Sequence, residues 1–260
     1  MQHWGQQRGG SLVSGSEGVD LLRSADRRYH HLRIAFKLLS QCHGKRILDV
    51  GCGQGLLERY FSNHECIGMD VSLSALRHAK RNAERGKYML ADMTSLPVKE
   101  RCVDIVAMIA VLGGVPQGKD EMVFGEAGRV LTDGGHVVIL VSQKRLPYSL
   151  LVPDRVSTGW KWRHFNAKAL QKQLNASGFL LKETVFVGGI ISLSIDIFEC
   201  FWGLFWRCFS RKILRRYTVP RLPHGFLNII ESREFQPFSQ KSSTFARFFY
   251  MVAQKSHRSQ

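Results

Sequence analysis

The chain has 260 residues, 44% of them hydrophobic and 22% charged, which suits one well-filled domain with an elaboration and argues against a disordered chain or two full domains. Its 37 Lys and Arg against 21 Asp and Glu give a formal charge of +16, an excess that implies nucleic acid, an anionic membrane surface, or simply a basic soluble protein. The 6 cysteines form no Cys-x-x-Cys pair and no metal-ligand spacing with His, so no metal site is expected and they read as reduced thiols of a cytosolic protein.

Residues 1–18 are rich in Gly, Ser and Gln and read as a loose tail with no secretory signal. Asp20 to Leu39 mixes aliphatic residues with five basic ones and reads as a basic helix, packed on the sheet edge or lying across a pocket, where Tyr29 and His30 would touch a ligand. Lys45 to Val50 is a buried strand. It runs into three glycines at every second position (Gly51, Gly53, Gly55) and then an apolar helix start at Leu56, Leu57, Tyr60 and Phe61.

A strand, a glycine turn and a helix make half of a nucleotide site. A dinucleotide fold wants Gly-x-Gly-x-x-Gly with a helix N-terminus free for pyrophosphate. Here position 56 is Leu, and Asp49 precedes the turn, where its carboxylate would repel a pyrophosphate. It suits a ligand with positive charge and no phosphate, such as S-adenosylmethionine with its ammonium and sulfonium.

Asp49-Val50-Gly51-Cys52-Gly53-Gln54-Gly55 resembles the first motif of class I S-adenosylmethionine-dependent methyltransferases, and the resemblance runs over residues 45–187 and again over 244–254. It implies a Rossmann-like α/β fold: a seven-stranded, mostly parallel sheet with helices on both faces. It also implies a cofactor site. Asp49, Gly51, Cys52, Gly53 and Gly55 would hold the methionine end. Asp70, ending the next strand with Val71 after it, would accept the ribose hydroxyls. Asp92 with Met93, after the third strand, would meet the adenine, and Ile109, ending the fourth, would line the pocket.

The elements follow in order. Strand Cys66 to Met69 leads to a helix capped by Ser72 or Ser74 that runs through Arg85, with Gly86 ending it. Strands Tyr88 to Ala91 and Val103 to Ile109 follow. Where relatives carry a polar residue after the fourth strand, this chain has Ala110-Val111-Leu112-Gly113-Gly114, either a turn or room for a bulky acceptor. Helix Glu121 to Leu131 ends in a family-like Arg129-Val130-Leu131, and a turn over 132–135 opens strand His136 to Val141. Asn166 caps helix Ala167 to Ala176, Gly178 stops it, and Phe179 to Val187 is the sixth strand. His164-Phe165-Asn166 resembles the His-Phe-Ser/Thr of relatives acting on small or lipid-like molecules, which makes His164 the candidate catalytic base against a plain structural role.

Arg247 to Ala253 resembles the family's last, antiparallel strand. The chain therefore divides into a tail and basic helix (1–44), a cofactor-binding core (45–187), a helical insertion (188–243), and the last strand with its tail (244–260). Gly189 to Trp206 is nearly all apolar, yet Asp196 and Glu199 interrupt it, which argues against spanning a bilayer. Six basic residues follow between Arg207 and Arg221. An apolar, Trp-bearing helix with a cationic cluster fits an interfacial helix on anionic lipid over 189–221 first, and an internal lid or dimer face second. Nucleic acid ranks lowest, since no RNA or DNA module is evident.

These readings lead to an S-adenosylmethionine-dependent methyltransferase, acting on an oxygen or carbon of a hydrophobic small molecule such as a quinone precursor, lipid or glycan intermediate. The expected location is the cytoplasm, with a peripheral membrane position if the insertion docks there. Two alternatives stand beside it: an RNA or protein methyltransferase docking through its basic surface, and a non-catalytic cofactor-binding partner protein. Nothing in the sequence fixes the oligomeric state.

Overall fold

The computed structural model describes residues 39, 46–61, 64–84, 86–144, 163–187, 238–239, 246 and 248–256. The expected basic N-terminal helix with Tyr29 and His30, residues 145–162, and most of the insertion lie outside the described residues.

The first half alternates strand and helix: β1 (Arg46–Val50), α1 (Leu56–Tyr60), β2 (Glu65–Asp70), α2 (Leu73–Asn82), β3 (Lys87–Leu90) and β4 (Val103–Ile109). A 3-10 turn (Leu112–Gly114) leads to α3 (Asp120–Val130), β5 (Leu131–Ser142), α4 (Ala167–Ala176), β6 (Phe179–Val187), β7 (Phe238–Ser239) and β8 (Phe248–Lys255). All lie in one sheet of order β3-β2-β1-β4-β5-β8-β6-β7. The pairs among β1 to β5 are parallel, whereas β8 runs antiparallel to both β5 and β6.

The seven expected strands are present, and a two-residue eighth, β7, pairs antiparallel with Val185 and Phe186 on the outer edge. It falls inside the stretch expected to be helical, so that part of the insertion extends the sheet. Two boundaries also move. Helix α2 stops at Asn82 rather than Arg85, because Ala83 leaves the helical backbone at φ −140 and ψ 81. Strand β5 begins at Leu131, the 132–135 turn being a bulge between the pairs Val103↔Leu131 and Ile105↔His136. The two predicted caps hold: the Ser72 and Asn166 side chains accept from the amides of Ala75 and Ala169.

Alternate residues of each central strand serve two cores, because side chains along a strand point to opposite faces. On one face Leu48, Val50, Val106, Met108, Val137 and Ile139 pack with Val123, Phe124 and Ala127 of α3 and Leu170 and Leu174 of α4. On the other, Ile47, Ile105, Ala107, Val138 and Leu140 pack with Leu57, Phe61 and Leu39. The sheet is thus covered on both sides. Among the described residues, a cleft lies at the carboxyl edge beside β1, where the chain first builds β2 and β3 and then returns to place β4 on the opposite flank. Ligands of open α/β sheets bind at such a reversal.

Candidate functional site

Gly51, Gly53 and Gly55 all take the left-handed backbone, at φ +79, +55 and +76. Each has a different reason. A Cβ on Gly51 would overlap the side chain of Val111, and one on Gly55 would lie 2.6 Å from the Tyr88 hydroxyl and 3.0 Å from Ala79 Cβ. One on Gly53 would meet nothing within 4 Å among the described residues. The first and third glycines are therefore packing residues, and the second presents bare backbone to open space.

The loop's amides are already used inside the protein. Gly51 and Cys52 donate to the Met69 carbonyl at 2.7 and 2.9 Å, Gly55 to Cys52 O at 3.0 Å, and Gly53 to Asp70 Oδ2 at 3.0 Å. Asp70 takes a second amide, from Ser72, on Oδ1 at 2.8 Å, so its carboxylate ties the glycine loop to the start of α2. The cleft beside this loop encloses about 40 Å³ and is lined by Val50, Gly51, Met69, Asp70, Val71, Ala91, Met93 and Val111.

Acid surrounds it. Asp49 is 4% exposed, and burial first, then Glu58 and Asp70, push its carboxyl well above the usual carboxylate range. Glu58, on the first turn of α1, is equally buried, and neither of its oxygens has a hydrogen-bond partner. Burial pushes it up to about 7, its own peptide group opposing this in part. The thiols of Cys52 and Cys66 are likewise raised by burial, then by neighbouring acids, so Cys52 serves through its backbone and is no nucleophile. Amides turned inward with carboxylates close by leave no nest for a pyrophosphate and favour a cation. An open backbone at Gly53 and buried carboxyls that a cation would draw into their charged form fit the methionine end of a sulfonium cofactor, with Asp70, Val71 and Met93 set for ribose and adenine.

Comparison with known proteins agrees. A family model described as a methyltransferase domain matches residues 48–139. Over these residues the chain is a methyltransferase domain of the class I, S-adenosylmethionine-dependent kind. S-adenosylmethionine is accordingly its cofactor. A probable S-adenosylmethionine-dependent methyltransferase of Mycolicibacterium smegmatis is 26% identical over 57% of this chain and 57% of its own length. A ubiquinone biosynthesis O-methyltransferase of Coxiella burnetii is 37% identical over 28% of this chain and 34% of its own length. The chain thus spans about half or less of these curated relatives. The crystal structure of a methyltransferase from Archaeoglobus fulgidus superposes with a TM-score of 0.59 at 16% identity, covering 91% of this chain and 97% of that one. That likeness concerns the fold.

Of the predicted cofactor-binding residues, Gly51, Asp70, Val71 and Met93 line the cleft, Asp49, Cys52, Gly53 and Gly55 belong to the strand end and loop beside it, and Asp92 and Ile109 sit away from it. Asp92 is exposed, and its Oδ1 accepts from the amide and hydroxyl of Thr94, both at 2.8 Å, which leaves the cleft wall to its neighbours Ala91 and Met93. Ile109 packs into the second core rather than onto the cleft. Beyond it, Ala110 holds φ +53, a strained position for a residue with a Cβ, which turns Val111 back over Gly51. The apolar strand tip is therefore part of the site's architecture.

His164 is half-buried and stands beside this tip, not in the cleft wall. The amide of Arg163 donates to Gly113 O at 2.9 Å and that of Phe165 to Ser142 O at 2.9 Å. The Arg163 guanidinium makes a bidentate pair with the buried Asp120 at 2.6 and 3.0 Å, reaches Leu112 O, and lies 5.0 Å over the Phe165 ring. Segment 163–165 is thus clamped to the strand tip and to α3.

Sequence reading missed Glu58, Val111 and the Arg163–Asp120 clamp. Glu58 looks like an ordinary exposed charge on a helix start, and nothing local shows that five residues of helix are pressed flat on β2. Asp120 and Arg163 are 43 residues apart, and no spacing rule connects them. Arg129, read as structural, is so: it binds Glu126 and the carbonyls of Val98 and Leu96. Among the described residues no cluster suits a metal ion, and no helix is long and apolar enough to cross a membrane.

Proposed function

We propose that this protein transfers the methyl group of S-adenosylmethionine to an oxygen or carbon of a hydrophobic small molecule. The observation that carries this reading is the cradle at Gly53, open to a ligand and flanked by Asp49, Glu58 and Asp70. When bound, the cofactor supplies an electrophilic methyl carbon on a good leaving group. The protein's part is alignment and exclusion of water. Asp70 holds both the loop and the ribose end, Val111 and the Ala110 kink shape an apolar wall, and the clamp on Arg163 fixes His164 beside it. In this reading His164 takes a proton from an acceptor hydroxyl. An apolar strand tip and a relative named for ubiquinone biosynthesis both favour a greasy acceptor.

The test is incorporation of a labelled methyl group into lipid, RNA and protein fractions of a cell extract, with His164→Ala as a second arm. Label in an organic-extractable molecule, lost in the cradle variants described below, supports the reading. Label in RNA or protein would move the acceptor to a macromolecule docked on the basic surface. No turnover, with cofactor still bound, would leave a cofactor-binding partner protein. The apolar and basic run 189–221 supports docking on an anionic membrane. Flotation with anionic liposomes, abolished by deleting 189–206, is the expected result, and persistent flotation would refute it.

A further inference from the structure

Behind the glycine loop lies a group to which the methyl-transfer reading gives no role beyond its charge. Glu58 points back from α1 onto β2, where a Cβ on Gly68 would overlap its Oε1 and come within 2.9 Å of both Cys52 Sγ and the Tyr88 ring. Its carboxyl therefore lies against the inner side of the loop residue Cys52, while Gly53, next in the chain, faces open space. Both oxygens are buried without a hydrogen-bond partner. Among the described residues, the titratable groups facing it are Asp49 on β1, Cys52 in the loop, Cys66 on β2 and Tyr88 on β3, with Asp70 acting on Asp49 beside it. All are acids, and no cation is among them.

Two buried carboxyls without a counterion resist carrying two negative charges, because each charge must leave water and each repels the other. A cation brought to the cradle reverses that balance. The donor form of the cofactor carries a sulfonium and an ammonium, whereas the demethylated product has a neutral thioether in place of the sulfonium. Resting on the cofactor assignment above, we propose that Glu58 is a specificity-determining residue that makes the pocket read the charge on its ligand's sulfur. The Asp49–Glu58 pair loses a carboxyl proton to solvent when the sulfonium arrives, and keeps it with the thioether.

The consequence is a donor preference that grows with pH. Burial lifts Glu58 to about 7, so protons compete with the donor below that pH. One proton released per ligand bound gives up to about tenfold in affinity per pH unit. From about pH 5.5 to 7 the ligand's own amine stays protonated and does not add to this slope.

The experiment is calorimetric titration of the full chain with S-adenosylmethionine and with S-adenosylhomocysteine across that range, in two buffers of different ionisation heat. Expected are a rising donor affinity with net proton release, a product affinity that changes less than about twofold, and a flat donor profile with a smaller donor-to-product ratio in Glu58→Gln. Equal proton release for the two ligands, or an unchanged slope in Glu58→Gln, would overturn the inference. Should Glu58→Gln not fold, the two-buffer comparison on the unaltered chain decides alone. Binding of both ligands without a slope refutes the role of Glu58 and leaves the cofactor assignment standing. Failure to bind either ligand at any pH removes both.

Discussion

Alanine at Gly51 and at Gly53 should separate the two jobs of the glycine loop. Both positions have positive φ, so each substitution costs about 1–2 kcal/mol of backbone strain. At Gly53 that is the whole stability cost, since the new methyl enters open space. At Gly51 the methyl overlaps Val111, and overpacking adds about 1–3 kcal/mol, for a total of about 2–5 kcal/mol. Urea unfolding measures this side. Calorimetry with S-adenosylmethionine measures the other: Gly53→Ala, although folded, should lose at least about tenfold in affinity because its methyl occupies the ligand's place. Combining Gly51→Ala with Val111→Gly should recover the overpacking share in a double-mutant cycle. Equal stabilities of the two single variants, or no coupling to Val111, would refute the packing role of Gly51. Full cofactor affinity in Gly53→Ala would move the ligand elsewhere.

Other outcomes follow from the same geometry. Glu58 has a folded pKa of about 7 against an ordinary 4.5, so the folded chain keeps a proton that the unfolded chain has lost. Stability therefore falls as pH rises from about 4.5 to 7, and Glu58→Gln, which cannot ionise, should gain about 3 kcal/mol on the parent between pH 5 and 8 in pH-dependent denaturation. A constant difference between the two would contradict the buried charge. Asp70→Asn should weaken cofactor binding and loosen the loop together, since the carboxylate accepts amides from both Gly53 and Ser72. Each such bond to a charged group is worth about 1.5–3 kcal/mol, and hydrogen exchange at the Gly53 and Ser72 amides reads the loosening directly. Asp120→Ala strands the Arg163 guanidinium and should cost about 3–5 kcal/mol in thermal unfolding, far more than an exposed Asp. A shift typical of a surface ion pair would mean that the clamp contributes little.

Much of the fold was legible in one dimension because its causes are local. Apolar runs such as Ile47 to Val50 and Val103 to Ile109 have nowhere to go but the middle of a covered sheet, Ser72 and Asn166 cap helices through amides three residues away, and glycines at 51, 53 and 55 force a turn after a strand. Asp49 just before that turn was enough to favour a cationic ligand over a pyrophosphate. What the sequence could not settle depends on contacts between distant segments. The strand bulge at 132–135 arises from pairing with β4, and the short β7 exists because β6 offers it an edge. Glu58 becomes a buried acid because α1 is pressed onto β2. Val111 sets the identity of residue 51 from 60 positions away because a kink at Ala110 folds it back over the loop. Local chemistry chose the elements and the charge of the ligand, while burial and long-range packing decided which acids line the cleft, which stand off from it, and which carry protons.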